Sequence, residues 1–317
     1  MFCKSWLLVS LLILLNVLLL YFTATTLERR KWRKVARKPG NYHVAYPQNY
    51  RFILDQPNKC EKQKPFVVVI VPVAPENFEA RNAIRITWGS EELVRDRVVL
   101  VLFLLGSRSG NKTLQEQLQN ESQQYQDLLQ SSFQDSYRNL TIKTMVMMEW
   151  LSRKCQQASY AVKVDSDVLL SMNNLIKMLV NLKKLQHNYI TGLVVSGNSV
   201  LRDPSNKFYV PHDVYPKSRY PPYPLGMCYI FSMDLPEKIL QISMHIRPFF
   251  IEDAYLGMCL KGLGITPKKP PNMGQFVVRP PPQFNRCYYS KLIAILTESL
   301  TQLISFWMDI HSSSKPC

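Results

Sequence analysis

The sequence predicts an α/β fold with a mostly parallel central sheet and flanking helices. The first observation is a set of continuous apolar runs rich in β-branched residues, typical of strands buried on both faces, at residues 66–71, 97–105 and 160–164. The second is a set of stretches with helical spacing of apolar residues, at 79–88, 114–129, 144–155 and 173–185. Because strands and helices alternate, a parallel sheet with helical crossovers is expected.

The pattern changes after residue 187. The expected elements are a strand, a Tyr/Pro-rich loop, a short strand and a helix, at residues 189–195, 208–223, 229–232 and 235–244. Glu252 and Asp253 then open another helical stretch, where carboxylates at a helix amino end are favourable in themselves. Residues 268–282 are Pro-rich and predicted to be irregular.

An uncharged apolar run covers residues 6–22. As a helix it would span about 26 Å, short but adequate for a thin secretory-pathway bilayer. We therefore predict a cytosolic tail at 1–4, one transmembrane signal anchor at 5–22, a basic stem at 23–64 and a globular domain at 65–317. A cleaved signal peptide is the alternative, but the run exceeds a typical signal-peptide core and lacks a good cleavage site.

The formal net charge is +16, and residues 26–65 contribute a net +8 of it. A basic run beside an apolar segment is typical of contact with lipid headgroups. No helix-turn-helix, zinc-finger or RNA-binding signature occurs, so nucleic acid is not an expected partner.

The sequence contains features that favour opposite orientations of the chain across the membrane. The basic cluster after the apolar run favours a cytosolic domain by the positive-inside rule. Six later cysteines, whose pairing the sequence does not fix, suit an oxidising lumen instead. N-glycosylation sequons begin at Asn111, Asn120 and Asn139. We predict the lumenal orientation.

Asp165-Ser166-Asp167 follows the predicted strand at 160–164. Its two carboxylates share one face of an extended chain and offer hard oxygen ligands to Mn²⁺ or Mg²⁺. The carboxyl end of a strand is also where α/β sheets bind ligands, so an ion there would carry a nucleotide diphosphate. The D-x-D pattern alone is weak, and a solvated turn is the alternative. Motifs for dinucleotides, P-loop NTPases and zinc hydrolases are absent from the sequence.

Six blocks of sequence resemble, in the same order, those of glycosyltransferase family 31, the β-1,3-galactosyltransferases and related β-1,3-N-acetylglucosaminyltransferases. They are RNAIRITWG at 81–89, FLLG at 103–106, YRNLTIKT at 137–144, KVDSD at 163–167, RYPPY at 219–223 and EDAYLG at 252–257. The type 1 and type 2 galactosyltransferases of the family show this pattern most strongly. Together the blocks are far more specific than any one of them.

The resemblance implies an A-type nucleotide-sugar transferase fold, a Rossmann-like sheet with the donor at its D-x-D edge. It implies an inverting hexosyltransferase that moves galactose from UDP-galactose to a GlcNAc- or GalNAc-ended glycan of a glycoprotein or glycolipid, in β-1,3 linkage and with Mn²⁺ or Mg²⁺. It also implies a single-pass type II protein of the Golgi membrane with a lumenal catalytic domain.

The resemblance also assigns roles to residues. Asp167 would hold the metal, and Asp165 would lie near the ribose and beside the metal. Asp253 is the candidate catalytic base, and Glu252 could raise its basicity as a like-charged neighbour.

Other side chains are expected to bind the substrates. The candidates for the donor are Arg81, Arg85, Lys163, Asp165 and Ser166. A structural ion pair is the alternative for the three basic residues. The candidates for the sugar pocket are Tyr220, Tyr223, Gly226 and Glu252. The tyrosines would stack on sugar faces or only pack, whereas Trp88 is expected in the core.

Two departures from the family pattern fall near the expected site. Pro224, Leu225 and Cys228 replace a cysteine and small residues, so a disulfide would be lost or moved to Cys228. Val278 and Arg279 stand where a further histidine ligand is expected. These departures keep a catalytically weak transferase-fold binding protein of the Golgi as one alternative. The other alternative is β-1,3-N-acetylglucosaminyl transfer, because the donor sugar depends on a pocket shape that the sequence does not show.

Overall fold

A sheet with four parallel strands at its centre organises the chain. The structure is a computed structural model that describes Asn16 and residues 44–182, 184–281 and 283–312. The strands are β1 (Phe52–Leu54), β2 (Val67–Pro72), β3 (Leu93–Val94), β4 (Arg97–Ser107), β5 (Leu128–Gln134), β6 (Tyr160–Val164), β7 (Val168–Leu170), β8 (Ile190–Val195), β9 (Tyr223–Ser232), β10 (Phe276–Val277) and β11 (Ala294–Leu296). The helices are α1 (Lys59–Gln63), α2 (Phe78–Arg85), α3 (Lys112–Tyr125), α4 (Leu140–Lys154), α5 (Met172–Val180), α6 (Leu235–Ser243), α7 (Glu252–Gly262), α8 (Arg286–Tyr289) and α9 (Leu300–His311).

The main sheet has the strand order β1-β5-β4-β2-β6-β9-β8, with β3 paired to β4. Strands β5, β4, β2 and β6 are parallel neighbours, whereas β1, β3, β9 and β8 pair in antiparallel fashion. Residues 67–71 of β2 are fully buried, as the continuous apolar run predicted for a strand covered on both faces. The predicted α/β class with a mostly parallel central sheet is confirmed, and antiparallel strands form its flanks.

A second, three-stranded sheet fixes the turn that follows β6. Its order is β10-β11-β7, and β7 begins directly after residues 165–167. Thr297, just past β11, donates to the carbonyl oxygen of Asp167 from its backbone N at 2.8 Å and from its Oγ1 at 2.7 Å. The Nε1 of the fully buried Trp88 donates to the Val168 carbonyl at 3.1 Å. The D-x-D turn is therefore held by two distant parts of the chain.

The compact unit begins at Val44, whereas the sequence analysis placed the start of the globular domain at residue 65. Strand β1 pairs with β5, and the buried Cys60 of α1 forms a disulfide with Cys155. A three-residue strand and a five-residue helix leave no measurable periodicity in the sequence, which is why residues 44–64 resembled a stem.

The helix predicted to run to residue 129 ends four residues earlier. Gln126 adopts the left-handed conformation, with φ 53°, and closes α3 at Tyr125. Residues 128–131 are buried in β5, a strand that the sequence analysis missed because glutamine and serine interrupt its apolar run.

The predicted membrane anchor at residues 5–22 lies outside the described residues, apart from Asn16. Within the described part of the chain, no helix has the length and apolar character needed to cross a membrane.

Candidate active site

Three elements meet at the carboxyl end of β6. They are the D-x-D turn at residues 165–167, the middle of β9 around Gly226, and the amino end of α7. Strands β6 and β9 are antiparallel neighbours, and the Asp165 backbone N donates to the Met227 carbonyl at 2.9 Å. The sequence blocks that contain D-x-D and E-D, far apart along the chain, therefore lie together.

Asp253 is held by two backbone N–H groups. Its Oδ2 accepts from Gly226 N at 2.9 Å, and its Oδ1 accepts from Ala254 N at 2.8 Å. The side chain is half-buried. Burial and the charge of Glu252 outweigh these hydrogen bonds and raise the pKa of Asp253 to about 6. This shift gives the carboxylate more basicity than an exposed aspartate has.

Glu252 lies beside Asp253 but is turned into the protein. Its Oε2 accepts from Thr144 Oγ1 at 2.9 Å and from the Tyr229 hydroxyl at 3.1 Å. Its Oε1 accepts from Lys163 Nζ at 3.1 Å. Because Glu252 is only 7% exposed and its oxygens are used internally, its contacts indicate a supporting part rather than direct contact with a sugar.

Lys163 is a buried cation between the two carboxylate motifs. Its Nζ donates to Asp165 Oδ1 at 2.6 Å, to Glu252 Oε1, and to the Gly226 carbonyl. Burial alone would lower the pKa of Lys163, but Asp165 and Glu252 outweigh it and raise the pKa above its ordinary value. Lys163 is therefore charged at neutral pH.

Gly226 leaves no room for a side chain. A Cβ at this position would lie 2.8 Å from Glu252 Oε1 and 3.5 Å from Asp253 Oδ2. The absence of a side chain thus lets β9 approach both carboxylates.

We expect Gly226→Ala to lower stability by about 1–3 kcal/mol, because the added methyl overpacks the buried carboxylates. It should also reduce turnover by about tenfold or more, because Asp253 is displaced. Urea unfolding and transfer kinetics measure the two effects. Gly274→Ala is the control, since a Cβ there meets only the side-chain Oδ1 of Asn272, at 3.2 Å. Wild-type behaviour of the Gly226 variant would contradict the packing argument.

Asp165 and Asp167 are the side chains that could hold a divalent ion. Asp167 is exposed, and Asp165 keeps 41% of its side chain exposed although Oδ1 binds Lys163. Among the described residues, no group of three or more His, Cys, Asp and Glu side chains could hold a metal. Mg²⁺-type sites often use one or two carboxylates and complete their shell with water and substrate phosphates, so this pair fits such an ion. Ser166 lies half-buried between the two carboxylates.

The departure at residues 278–279 follows β10, which is separated from β7 by β11. Val277 of β10 pairs with Ile295, and the next residue of β11, Leu296, pairs with Val168. Apolar Leu296 therefore lies beside the turn, and Val278, where the family pattern led us to expect a histidine ligand, follows a strand that does not pair with β7.

Tyr220 and Tyr223 belong to an aromatic cluster with Tyr215 and Phe249. The Tyr220 ring is stacked with Tyr215 and Phe249, at centroid distances of 5.2 and 5.8 Å. Tyr223 accepts a hydrogen bond from Asn198 Nδ2 at 3.1 Å. Both tyrosines are more than 90% buried, so their ring faces serve packing, the alternative that the sequence left open. The Tyr220 hydroxyl is buried and has no hydrogen-bond partner among the described residues.

Arg81 and Arg85 do not join the cluster around Asp253. Arg81 makes a bidentate pair with Glu121 at 2.7 and 2.6 Å and donates to the Ala74 and Pro75 carbonyls. Arg85 pairs with Glu121 and Asp127. The structural ion pair that was the alternative for both arginines is what the structure contains, and their assignment to the donor stays a prediction.

The disulfide suggested at Cys228 is wrong. Cys228 is a fully buried free thiol in β9, between β6 and β8, and burial raises its pKa to about 12. Thr144, Tyr229 and Asn198 are polar contacts of the site that the sequence analysis did not single out. Thr144 ends the YRNLTIKT block and could have been found there, whereas no local pattern marks the other two.

Comparison with known proteins gives concordant matches. The Galactosyltransferase family profile matches residues 79–271. Beta-1,3-galactosyltransferase 1 of Homo sapiens is 38% identical over 267 residues, covering 84% of this chain and 80% of that protein. Beta-1,3-galactosyltransferase 2 of Mus musculus is 39% identical over 278 residues, which cover 87% of this chain and 64% of that protein. The apo structure of the bifunctional glycosyltransferase WbbM superposes with a TM-score of 0.42 at 10% identity, over 79% of this chain and 50% of that one, which is too weak to carry an argument.

Proposed function

The chain belongs to the galactosyltransferase family, and from this premise we propose that it transfers galactose from UDP-galactose to a GlcNAc- or GalNAc-ended glycan, with inversion and in β-1,3 linkage. The observation that carries this proposal is the position of Asp253. A basic carboxylate, fixed by Gly226 N at 2.9 Å, lies in one hydrogen-bonded network with the D-x-D turn. Such a network brings a proton acceptor next to a site for a nucleotide diphosphate.

In the proposed mechanism, Asp253 takes the proton from the acceptor hydroxyl as that oxygen attacks the anomeric carbon. The two backbone N–H groups fix the orientation of its carboxylate, and burial makes it a better proton acceptor. The new bond joins the acceptor oxygen to the sugar, and the bond to UDP breaks on the opposite side. Asp165 and Asp167 would hold Mn²⁺ or Mg²⁺, which when bound neutralises negative charge on the departing diphosphate.

This mechanism predicts a loss of turnover at acid pH. Asp253 acts only when deprotonated, and its raised pKa of about 6 means that the base is lost as pH falls through that value. With donor and metal saturating, kcat/KM for the acceptor should be flat above the pKa and fall about tenfold for each pH unit below it, because this ratio reports the ionisation of the protein before the acceptor binds. A pH profile of kcat/KM tests this, and the residual activity of Asp253→Asn should lack the acid limb. An acid limb of the same midpoint in that variant would assign it to another group.

Tyr220→Phe removes a buried hydroxyl that has no hydrogen-bond partner among the described residues. The variant should raise the free energy of unfolding by about 1 kcal/mol or leave it unchanged, because a buried orphan hydroxyl is removed. KM for the acceptor should stay near that of wild type, because a sugar does not reach a hydroxyl that is buried from solvent. Thermal unfolding and acceptor titrations measure both quantities. In contrast, Tyr220→Ala should destabilise the chain through its lost contacts with Phe249. A severalfold rise in KM in the Phe variant would contradict this and place the hydroxyl in the sugar pocket.

Two alternative functions remain, and each has its own reason. N-acetylglucosaminyl transfer differs only in the donor sugar, which the pocket shape decides. A catalytically weak, UDP-binding transferase-fold protein is favoured by the lack, among described residues, of a third metal-ligating side chain near Asp165 and Asp167. Apolar Leu296, which pairs with Val168 beside the turn, supports the same alternative.

We also propose that the protein is a type II membrane protein of the Golgi with a lumenal domain. The apolar run at 6–22, the disulfide between Cys60 and Cys155 and the sequons support this placement. Asn111 and Asn120 are exposed on and beside α3, open to glycosylation. Asn139 is half-buried, and its Nδ2 donates to the Gln134 carbonyl at 2.8 Å.

The deciding experiment incubates the purified full-length chain with UDP-galactose or UDP-GlcNAc and with GlcNAc-, GalNAc- or Gal-ended acceptors, with Mn²⁺ or EDTA. Products are identified by mass spectrometry and linkage analysis. Metal-dependent β-1,3-galactosyl transfer is expected. Transfer of GlcNAc alone would favour the first alternative, and UDP binding without any transfer would favour the second.

A further inference from the structure

The ammonium group of Lys163 has no donor left for a substrate. Lys163 is 4% exposed, and its Nζ donates to Asp165 Oδ1 at 2.6 Å, to Glu252 Oε1 at 3.1 Å and to the Gly226 carbonyl. A lysine ammonium carries three N–H donors, so these three acceptors use all of them. A direct contact with the donor diphosphate, as the sequence led us to expect, would require one of these bonds to break.

The three acceptors belong to the three elements that form the site. Asp165 is in the D-x-D turn, Gly226 is in β9, and Glu252 begins α7. Two of them are also neighbours of the candidate base, because Glu252 precedes Asp253 and the Gly226 backbone N donates to Asp253 Oδ2. One cation therefore contacts the D-x-D motif, the residue that precedes Asp253 and one of the two residues whose backbone N–H groups hold its carboxylate.

We propose that Lys163 is a positioning residue, which holds Asp253 at a fixed distance from the D-x-D turn and is not a ligand of the donor diphosphate. The inference rests on the proposed galactosyl transfer. In this role, Lys163 fixes the distance and orientation of the proton acceptor Asp253 relative to the donor bound at the D-x-D turn. Displacement of about 1 Å between such groups is enough to reduce turnover by about 10²-fold.

Lys163 also balances buried charge, and this second effect has to be separated from the first. Glu252 is 7% exposed, and Lys163 is the cation that contacts it in the described structure. Lys163→Met would leave the buried Glu252 carboxylate without a counter-charge. An uncompensated buried charge lowers the stability of the folded protein, whatever the role of Lys163 in catalysis. The double variant Lys163→Met/Glu252→Gln removes both charges. The amide oxygen that this variant carries at position 252 can still accept from Thr144 and Tyr229, so the double variant should be folded while the link to Asp165 stays broken.

The test uses the full-length chain and compares wild type, the single variant and the double variant. Thermal unfolding should show a fall of roughly 10 °C in Tm for Lys163→Met, most of which the double variant regains. At a temperature where all three are folded, kcat should fall about 10²-fold in both variants, with KM for UDP-galactose changed less than about threefold. A calorimetric titration of UDP with Mn²⁺ should show a similarly small change in Kd.

Lys143→Met is the matched control. Lys143 is as buried as Lys163, at 3% exposed, and makes one ion pair with Asp135 at 2.7 Å and a hydrogen bond to the Val73 carbonyl, but does not contact Asp253 or its supports. Its loss should lower Tm comparably while kcat stays within about fivefold of wild type, since a stability loss alone does not misplace the base.

The outcomes separate this inference from the proposed function. An active wild type with a double variant of normal kcat would overturn the positioning role alone. A rise in KM for the donor with unchanged kcat would overturn it too and make Lys163 a donor ligand. A folded wild type that transfers no sugar would overturn the proposed function and, with it, the positioning role. Recovery of Tm without recovery of kcat supports the proposal.

Discussion

Asp253→Asn should lower kcat by about 10³-fold while the affinity for UDP-galactose stays near that of wild type. Asparagine keeps the volume of aspartate but cannot accept a proton from the acceptor hydroxyl. Its single carbonyl oxygen also replaces two oxygens that accept from Gly226 N and Ala254 N at 2.9 and 2.8 Å, so a small loss of stability is expected as well. Steady-state kinetics with saturating acceptor and a binding titration with UDP measure the two quantities separately.

Glu149→Gln is a suitable control for Asp253→Asn. Glu149 lies in α4 and pairs with Arg153 at 2.9 Å on the helix surface, away from the contacts of Asp253. Exposed pairs of this kind contribute little to stability, so this variant should behave as wild type. An Asp253 variant with unchanged kcat would remove this residue as the base and leave the mechanism without a proton acceptor.

Asp167→Ala should abolish metal-dependent transfer, with a loss of at least about 10²-fold, and should leave folding intact. The side chain is exposed, and the contacts of Asp167 with Thr297 involve its backbone carbonyl, which alanine retains. Only a carboxylate that could face a metal is lost. Product formation over a Mn²⁺ titration, together with the melting temperature, tests the prediction.

An exposed aspartate of the last helix provides the comparison for Asp167→Ala. Asp309→Ala removes an exposed carboxylate of α9, whose side chain makes no hydrogen bond or ion pair with the D-x-D turn in the described part of the chain, and it should change neither activity nor the Mn²⁺ dependence. Full activity of the Asp167 variant would remove this residue from the metal site. A large fall in melting temperature would instead mean that the carboxylate supports the turn itself.

The central strands and the D-x-D turn could be predicted because their signals are local. Residues 160–164 form a buried strand with an acidic turn at its end, and both features are visible within eight residues of sequence. The helix that starts with Glu252 and Asp253 was likewise predicted from local pattern. In contrast, β1 is three residues long, and β5 has the sequence LLQSSFQ, in which glutamine and serine interrupt the apolar residues. Their pairing with neighbouring strands, rather than their own propensity, makes them strands.

The roles of individual site residues were harder to predict, because their partners are distant in sequence. Lys163 is satisfied by Gly226 and Glu252, which lie 63 and 89 positions away. Arg81 binds Glu121, 40 positions away. A sequence motif shows that such a residue belongs to a block, but it does not show which acceptor uses its hydrogens. The same reason explains why Tyr220 could be proposed as a sugar platform although its ring is buried and packs against Tyr215 and Phe249.

The contact between Thr297 and Asp167 has a consequence for biosynthesis. The two hydrogen bonds that fix the Asp167 carbonyl join positions 130 residues apart, and β11 follows the other strands of both sheets along the chain. While the chain is being made, residues 165–167 leave the ribosome long before their partner, so the D-x-D turn stays unfinished until β11 and Thr297 have emerged. A chain interrupted before residue 297 would lack the contact that shapes this turn. The segment around β11 must therefore be synthesised before the turn can take its final shape, although this segment contributes none of the proposed reacting groups.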